Sequence, residues 1–145
     1  ESGAILMYLT EKTGKFMPTE EKARWATIEW LMFQMGGVGP FFGQVHHFTK
    51  YNSGVAPYAE ERYLNEAKRL YGVMDRRLAD NEWLNGEGYS IADMAVWPWT
   101  ARHDWQTIDL NEYPNVARWY VAMCERPAVQ KGWNIPPTDQ QIPMP

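Results

Sequence analysis

The sequence has little of what would place it in a membrane or in an oxidising compartment. Its 145 residues include one cysteine, Cys124, which excludes an internal disulfide framework and is typical of a reducing compartment. The longest apolar run near the start, residues 4–9, is far too short to cross a bilayer and has no basic flank. We therefore expect a cytoplasmic protein with no membrane partner.

An excess of positive charge is also missing. Eighteen acidic residues outnumber fourteen basic ones, which gives a formal net charge of −4. Without a basic surface, the composition predicts no binding to nucleic acid. Large side chains are abundant instead, with eight Trp, eight Tyr, five Phe and eight Met, and they favour one well-packed globular domain over a disordered chain.

The two-residue alternation of a half-buried strand does not occur, whereas the 3.6-residue period of a helix recurs along the chain. An apolar stripe within residues 4–9 predicts a first helix that ends at Gly14. Thr19 is the predicted N-cap of a second helix, and "GGVGP" (36–40) is expected to kink or interrupt it. The large apolar residues of this second helix follow helical spacing: Trp25, Ile28, Met32 and Met35.

The second half of the sequence is predicted to be helical as well. Further helices are expected at 57–79, 91–103 and 115–125, followed by a short helical turn from Pro127. The buried stripe of the longest helix is predicted to contain Tyr63, Ala67, Leu70, Met74 and Leu78. The sequence thus predicts an all-α bundle.

The segment "GYSIADMAVWPW" carries the strongest local signal. Ser90 is a suitable N-cap and Asp93 lies three residues later, so the two can form a capping box in which side chains bind backbone N–H groups. The helix that follows is apolar on nearly every face, which places it at the centre of a domain. Both residues are interpreted as structural, and losing such a cap costs about 0.5–2 kcal/mol.

These motifs resemble the glutathione transferase family. A buried helix opened by Ser-Ile-Ala-Asp is typical of its C-terminal helical domain, and a Glu-Ser pair before "GAILMYL" is similar to the last helix of its thioredoxin-like N-terminal domain. The segments "WLMFQMGGVGPFFGQVHHF" and "PYAEERYLNEAKRLYGVMDRRL" resemble the bacterial Nu-class branch, which includes glutathione-dependent disulfide-bond reductases.

The resemblance implies a division of the chain and a fold. Residues 1–14 correspond to the last helix of the thioredoxin-like domain, residues 15–133 to a C-terminal bundle of five to six helices, and residues 134–145 to an extended proline-rich tail. Most of the thioredoxin-like domain is then expected to precede Glu1.

Glu1 and Ser2 are the first candidate ligand-binding residues. The free amides at a helix start favour a carboxylate, which the Ser2 hydroxyl and N–H can bind, while Glu1 can pair with an ammonium group. The γ-glutamyl end of glutathione carries both charges, and the resemblance implies that use. The alternative is that Ser2 only caps the helix.

Arg62 is the third glutathione-binding candidate. The resemblance implies that this arginine faces the glutathione site from the helical domain, and its planar guanidinium suits a carboxylate. The alternative is a solvated ion pair with Glu66, four residues later on the same helix.

The segment "GQVHHF" suggests two kinds of site. By the resemblance, Phe42, Gln44 and His46 are candidates for the second-substrate pocket, although aromatic residues there could equally belong to the core. A metal site made by His46, His47 and His103 is disfavoured, because adjacent histidines on a helix point about 100° apart. No metal is therefore predicted, and Cys124 is interpreted as a buried small residue.

The resemblance implies an enzyme that uses the thiolate of glutathione on electrophiles or on disulfides, with glutathione as cosubstrate and a homodimer as the assembly. No residue in this sequence is predicted to activate the sulfur, so the chain by itself is expected to be inactive. The alternative is a non-catalytic scaffold with the same helical domain. The sequence leaves open the choice between transferase and reductase and the physiological substrate.

Overall fold

The computed structural model describes all 145 residues, and every regular element in it is a helix, so the prediction of an all-α fold is confirmed. The α-helices are α1 (Ser2–Thr13), α2 (Glu21–Phe33), α3 (Gly39–Val45), α4 (Pro57–Ala79), α5 (Ile91–Thr100), α6 (Pro114–Cys124) and α7 (Pro127–Trp133). Two π-helical segments, Gln34–Val38 and His46–Tyr51, directly follow α2 and α3, and a 3₁₀ turn spans Leu110–Glu112. No helix is long and apolar enough to cross a membrane.

The ends of the first two helices show how local chemistry sets helix limits. Gly14 ends α1 in the left-handed conformation, with φ of 66°, and its N–H donates to the Thr10 carbonyl at 2.8 Å. The predicted N-cap of α2 is wrong by one residue. Glu20 caps this helix, because its carboxylate reaches the amides of Lys22 and Ala23 at 3.0 and 2.8 Å and its charge suits the helix N-terminus.

Two of the large apolar residues predicted for the stripe of α2 lie outside its buried face. Trp25 is 62% exposed and Met32 is 46% exposed, whereas Ala23, Thr27 and Leu31 are buried. The buried face is the one that packs against α5, where Leu31 forms a cluster with Ile91 and Ala95. A regular apolar spacing therefore identified the helix but not the face that packs in this chain.

The glycine-rich stretch changes the type of helix without ending it. From Gln34 to Val38 the backbone follows π-helical geometry, with the Gly39 amide donating to the Gln34 carbonyl, and α-helix resumes at Gly39. The wider turn lies just before Pro40, which has no N–H to donate. The expected interruption is thus confirmed, because the α-helical hydrogen bonds stop at Phe33. The chain nevertheless stays helical as far as Tyr51, through α3 and the second π-helical segment.

The longest helix, α4, has the predicted limits, Pro57 and Ala79. Four residues of the predicted stripe are buried, Tyr63 is only half-buried, and Tyr71 joins the buried face. The helix is tied to α6 because a side chain of each helix binds backbone groups at the end of the other. Asp75 accepts from the amides of Asn115 and Val116, and Arg118 donates to the carbonyls of Leu78 and Asn81.

The predicted capping box is present and is part of a larger buried cluster. The Ser90 hydroxyl accepts from the Ala92 amide at 3.3 Å, and Asp93 accepts from the amide and the hydroxyl of Ser90, both at 3.0 Å. Asp93 also accepts from the Leu84 amide at 3.1 Å and from the Trp119 indole at 2.9 Å. One carboxylate therefore joins the loop before α5, the start of α5 and the middle of α6.

The last twelve residues form no helix and lie against the bundle. Tyr120 donates to the Pro143 carbonyl at 2.8 Å, and Trp133 donates to the Gln140 carbonyl at 2.6 Å. Ile142 packs against the main core. These contacts hold the tail against α6 and the end of α7.

We expect Asp93→Ala to lower the free energy of unfolding by about 3–5 kcal/mol, because it leaves buried donors from Leu84, Ser90 and Trp119 without an acceptor. Urea denaturation followed by circular dichroism measures the change. Asp139→Ala, at an exposed position of the tail, is the matched control and should change stability by less than about 0.5 kcal/mol. Equal stability of the two variants would contradict the role given to Asp93.

Candidate functional site

A groove of about 690 Å³ opens beside the first turn of α1. Its walls come from α1, from the second π-helical segment, from α5 and from the turn after α5. The lining residues are Ser2, Ile5, Leu6, His46, Met94, Ala95, Pro98, Trp99, Arg102 and Trp105. The walls are mostly apolar, with a few polar groups placed among them, which is the usual composition of a site for a small organic ligand.

The start of α1 supplies hydrogen-bond donors to this groove. Glu1 is the N-cap residue, but its side chain makes no capping bond, and Ser2 is the first helical residue. The Ser2 hydroxyl has only a weak contact at 3.8 Å with the sulfur of Met35. Since the first intrahelical bond runs from the Ile5 amide to the Glu1 carbonyl, the amides of residues 2–4 have no partner in the chain.

His46 also lines the groove, although it is only 9% exposed. Its ring stacks on Trp99 with centroids 6.0 Å apart and meets the edge of Trp105 at 5.5 Å. Burial lowers the pKa of His46 below its ordinary value, and the nearby Arg102 cation lowers it further, whereas Asp104 acts in the opposite direction. His46 is therefore a neutral imidazole at pH 7.

A buried glutamine supports the histidine. The side-chain nitrogen of Gln106 lies 3.0 Å from Nε2 of His46 and donates to the Trp99 carbonyl at 2.8 Å. The side-chain oxygen of Gln106 accepts from the Tyr71 hydroxyl at 2.6 Å. Burial holds the pKa of Tyr71 well above its ordinary value, so this hydroxyl stays protonated and remains a donor.

Arg102 is the cation of the groove and has no acidic partner. Its guanidinium lies between two indole rings, 4.8 Å from the centroid of Trp105 and 4.5 Å from that of Trp133. One of its nitrogens donates to the side chain of Gln140 at 3.2 Å. The only ion pair in the chain joins Arg69 to Glu66, so the charge of Arg102 is free to attract an anion.

The structure brings together only some of the residues predicted for the site. Ser2 and His46 line the same groove. Phe42 instead lies in the core, fully buried and stacked on Tyr71 with ring centroids 4.9 Å apart, so it cannot line a pocket of this chain. Gln44 is exposed and outside the groove.

Arg62 lines a separate groove of about 640 Å³ with Phe41 and Tyr58. The alternative ion pair with Glu66 is not formed, because Glu66 binds Arg69 through two hydrogen bonds of 2.8 Å. Arg62 is exposed and has no hydrogen-bond partner. The prediction that it faces the same ligand as Ser2 therefore stays a prediction.

The remaining chemical candidates are far apart or buried. No group of three or more His, Cys, Asp or Glu side chains is placed to hold a metal ion. His47 is exposed, and His103 is buried with Nδ1 at 3.2 Å from the Ile108 carbonyl. Cys124 is buried, as predicted, and burial raises the pKa of its thiol, which disfavours the reactive thiolate.

Arg102, Trp105 and Gln106 were not predicted from the sequence. The signal that could have indicated them is the density of tryptophan in "VWPWTARHDWQ", where an arginine and a glutamine lie among three indoles just after the buried helix. Aromatic residues are more often core than ligand-binding. Only the folded turn after α5 shows that Arg102 and Trp105 line a groove and that the buried Gln106 contacts His46.

Comparison with known proteins identifies the family of this chain. The family described as "Glutathione S-transferase, C-terminal domain" matches residues 40–127. The chain is 52% identical over 128 residues to the disulfide-bond oxidoreductase YfcG of Escherichia coli K12, an alignment that covers 88% of this chain and 60% of that protein. This chain therefore spans less than two thirds of the length of that relative.

Solved structures give the same result. A glutathione transferase from Burkholderia graminis, with two glutathione molecules bound per subunit, is 42% identical and superposes with a TM-score of 0.84 over 94% of this chain and 60% of that one. A glutathione transferase from Pseudomonas putida, with one glutathione disulfide bound per subunit, is 44% identical with a TM-score of 0.87 over 94% of this chain and 62% of that one.

We expect the free energy of unfolding to fall as the pH is lowered below about 6.5, the ordinary pKa of histidine, and on through the lower pKa of folded His46. The unfolded chain binds the proton more tightly than the folded chain, so acid favours unfolding. Urea denaturation at several pH values should give a steeper dependence for the wild type than for His46→Gln, within the limit of about 1.4 kcal/mol per pH unit that one proton sets. Identical slopes would contradict the lowered pKa.

Proposed function

This chain belongs to the glutathione S-transferase family, and we propose that it is the helical domain of an enzyme that uses the thiolate of glutathione on disulfides. The observation that carries the proposal is the groove beside α1, which is lined by Ser2 at the free start of that helix and by Arg102, a cation that has no acidic partner and lies against tryptophan rings. These are groups that bind the carboxylates and the apolar parts of a glutathione-containing ligand.

The names of similar proteins support disulfides as the substrate class. A relative with 52% identity is named a disulfide-bond oxidoreductase, and a solved neighbour holds glutathione disulfide. The proposed reaction has two steps. A glutathione thiolate attacks one sulfur of the disulfide, forming a mixed disulfide and releasing the other half as a thiolate that takes up a proton. A second glutathione thiolate then attacks the mixed disulfide, so that two glutathione molecules become glutathione disulfide and the substrate becomes two thiols.

We further propose that Glu1 and Ser2 bind the γ-glutamyl end of a glutathione. The Ser2 hydroxyl and the free amides of the first turn are donors to its carboxylate, and the carboxylate of Glu1 can pair with its ammonium group. Arg62 is proposed as a second carboxylate contact, supported by its having no partner on α4. His46 is proposed as a wall of the second-substrate pocket, whereas Phe42 is not, because it is buried.

The sulfur is proposed to be activated by a residue outside these 145. Cys124 is buried, and no hydroxyl or amide side chain of this chain other than Ser2 lines the groove. The whole enzyme is proposed to be a cytoplasmic homodimer. The exposed Trp25 and Met32 on α2 are the kind of apolar residues that a partner subunit would cover.

The direct test is an exchange assay on a protein in which this chain follows a thioredoxin-like domain, with glutathione and hydroxyethyl disulfide as substrates. We expect glutathione disulfide to form, and we expect turnover with a chlorodinitrobenzene-type electrophile to be slower. The 145-residue chain alone should be helical but without turnover. A protein that neither binds glutathione nor exchanges the disulfide would contradict the proposal and favour the alternative of a non-catalytic scaffold.

Single arginine variants test the proposed carboxylate contacts. We expect Arg62→Ala and Arg102→Ala each to weaken glutathione binding by about 1–3 kcal/mol, the value of a hydrogen bond to a charged group. Isothermal titration calorimetry and retention on glutathione agarose measure the loss. Arg24→Ala, at an exposed position with no side-chain partner, is the control. Unchanged binding by either variant would remove that arginine from the site.

A further inference from the structure

We propose that Gln106 is a positioning residue that holds His46 with its proton on Nδ1, and that this N–H donates to an oxygen of the ligand in the groove beside α1. The identity of the ligand, glutathione disulfide, rests on the proposed function. The proton position does not, because it follows from contacts within the chain.

The orientation of the Gln106 side chain is fixed by two neighbours. The Trp99 carbonyl can only accept a hydrogen bond, so the amide nitrogen of Gln106 must face it, at 2.8 Å. The amide oxygen then faces the Tyr71 hydroxyl at 2.6 Å, which donates to it. Gln106 and Tyr71 are both fully buried, so water does not compete for these bonds.

This orientation determines the tautomer of His46. The second N–H of the Gln106 amide points to Nε2 of His46 across 3.0 Å. A neutral imidazole has one nitrogen that donates and one that accepts, and Nε2 must accept here because it faces a donor. The proton of His46 is therefore on Nδ1.

Nδ1 is the nitrogen that remains for a ligand. It has no hydrogen-bond partner in the chain. It is also not one of the fully buried polar atoms, so a ligand can reach it. The ring around it is held by stacking on Trp99 and by the edge contact with Trp105. With Arg102 lining the same groove, the Nδ1 proton and the guanidinium are both available to a carboxylate or carbonyl oxygen.

The proton position can be measured directly in the wild-type chain labelled with ¹⁵N-histidine, at a pH where the imidazole is neutral. Long-range ¹H–¹⁵N spectra should show a protonated Nδ1 and an unprotonated Nε2 for His46. His103 is an internal control, because its Nδ1 faces the Ile108 carbonyl and does not depend on Gln106. Gln106→Leu should then change the tautomer of His46 and leave that of His103 unchanged. A protonated Nε2 on neutral His46 in the wild type would overturn the inference without any variant.

Two substitutions of His46 separate its two nitrogens. Asparagine places an amide near the position of Nδ1, whereas glutamine places one near that of Nε2. With glutathione disulfide as the probe in calorimetry, we expect His46→Asn to bind within about twofold of the wild type. His46→Gln should bind about threefold to tenfold more weakly, the value of one lost hydrogen bond. Equal binding by the two variants, or weaker binding by His46→Asn, would overturn the ligand contact.

The two proposals fail in different ways. A wild-type chain and whole protein that bind no glutathione disulfide would overturn the proposed function and with it the ligand contact of His46. The tautomer is decided by the spectra alone, whether or not the ligand binds.

Discussion

The buried carboxylate of Asp93 is the constraint on which the arrangement of this domain depends. It accepts four hydrogen bonds, from the Leu84 amide, the Ser90 amide and hydroxyl, and the Trp119 indole. Burial raises the pKa of Asp93 above its ordinary value, and the four donors act against that rise. The charge is tolerated only where every donor is in place, so the carboxylate fixes the start of α5 relative to the preceding loop and to α6.

The position of α5 in turn determines the groove. Its first turn is fixed by Ser90 and Asp93, and its last turns carry Trp99 and lead into the segment that carries Arg102 and Gln106. A helix of ten residues transmits this placement over about 15 Å, because each residue advances it by about 1.5 Å. The cluster around Asp93 at the start of α5 and the residues that α5 supplies to the groove are thus parts of one rigid element.

The second π-helical segment contributes His46 to the groove, and α7 and the tail contact Arg102. The second π-helical segment begins at His46 and is tied to the turn after α5 by Thr49, whose hydroxyl donates to the Trp105 carbonyl at 2.9 Å. The tail reaches Arg102 through Gln140, and Trp133 stacks on the same guanidinium. Short π-helical segments often occur at functional sites, since the extra residue changes the direction in which side chains point. Here one of them brings an imidazole into the same groove as Arg102, which lies in the turn after α5.

Features that depend on near neighbours along the chain could be predicted from the order of the residues. Gly14 ends α1 because only a residue without Cβ readily adopts positive φ, and the limits of α4 follow from Pro57 and an apolar stripe. The bond between Ser90 and Asp93 spans three residues, and the motifs around it were specific enough to indicate the glutathione transferase family. Which helix faces are buried and which distant side chains meet depends instead on how the helices pack together. Leu31 and Ala23 replace Trp25 and Met32 on the packed face of α2, Phe42 stacks in the core, and Gln106 meets His46 from sixty residues away. Those outcomes depend on how closely helices approach one another, which no local pattern of residues specifies.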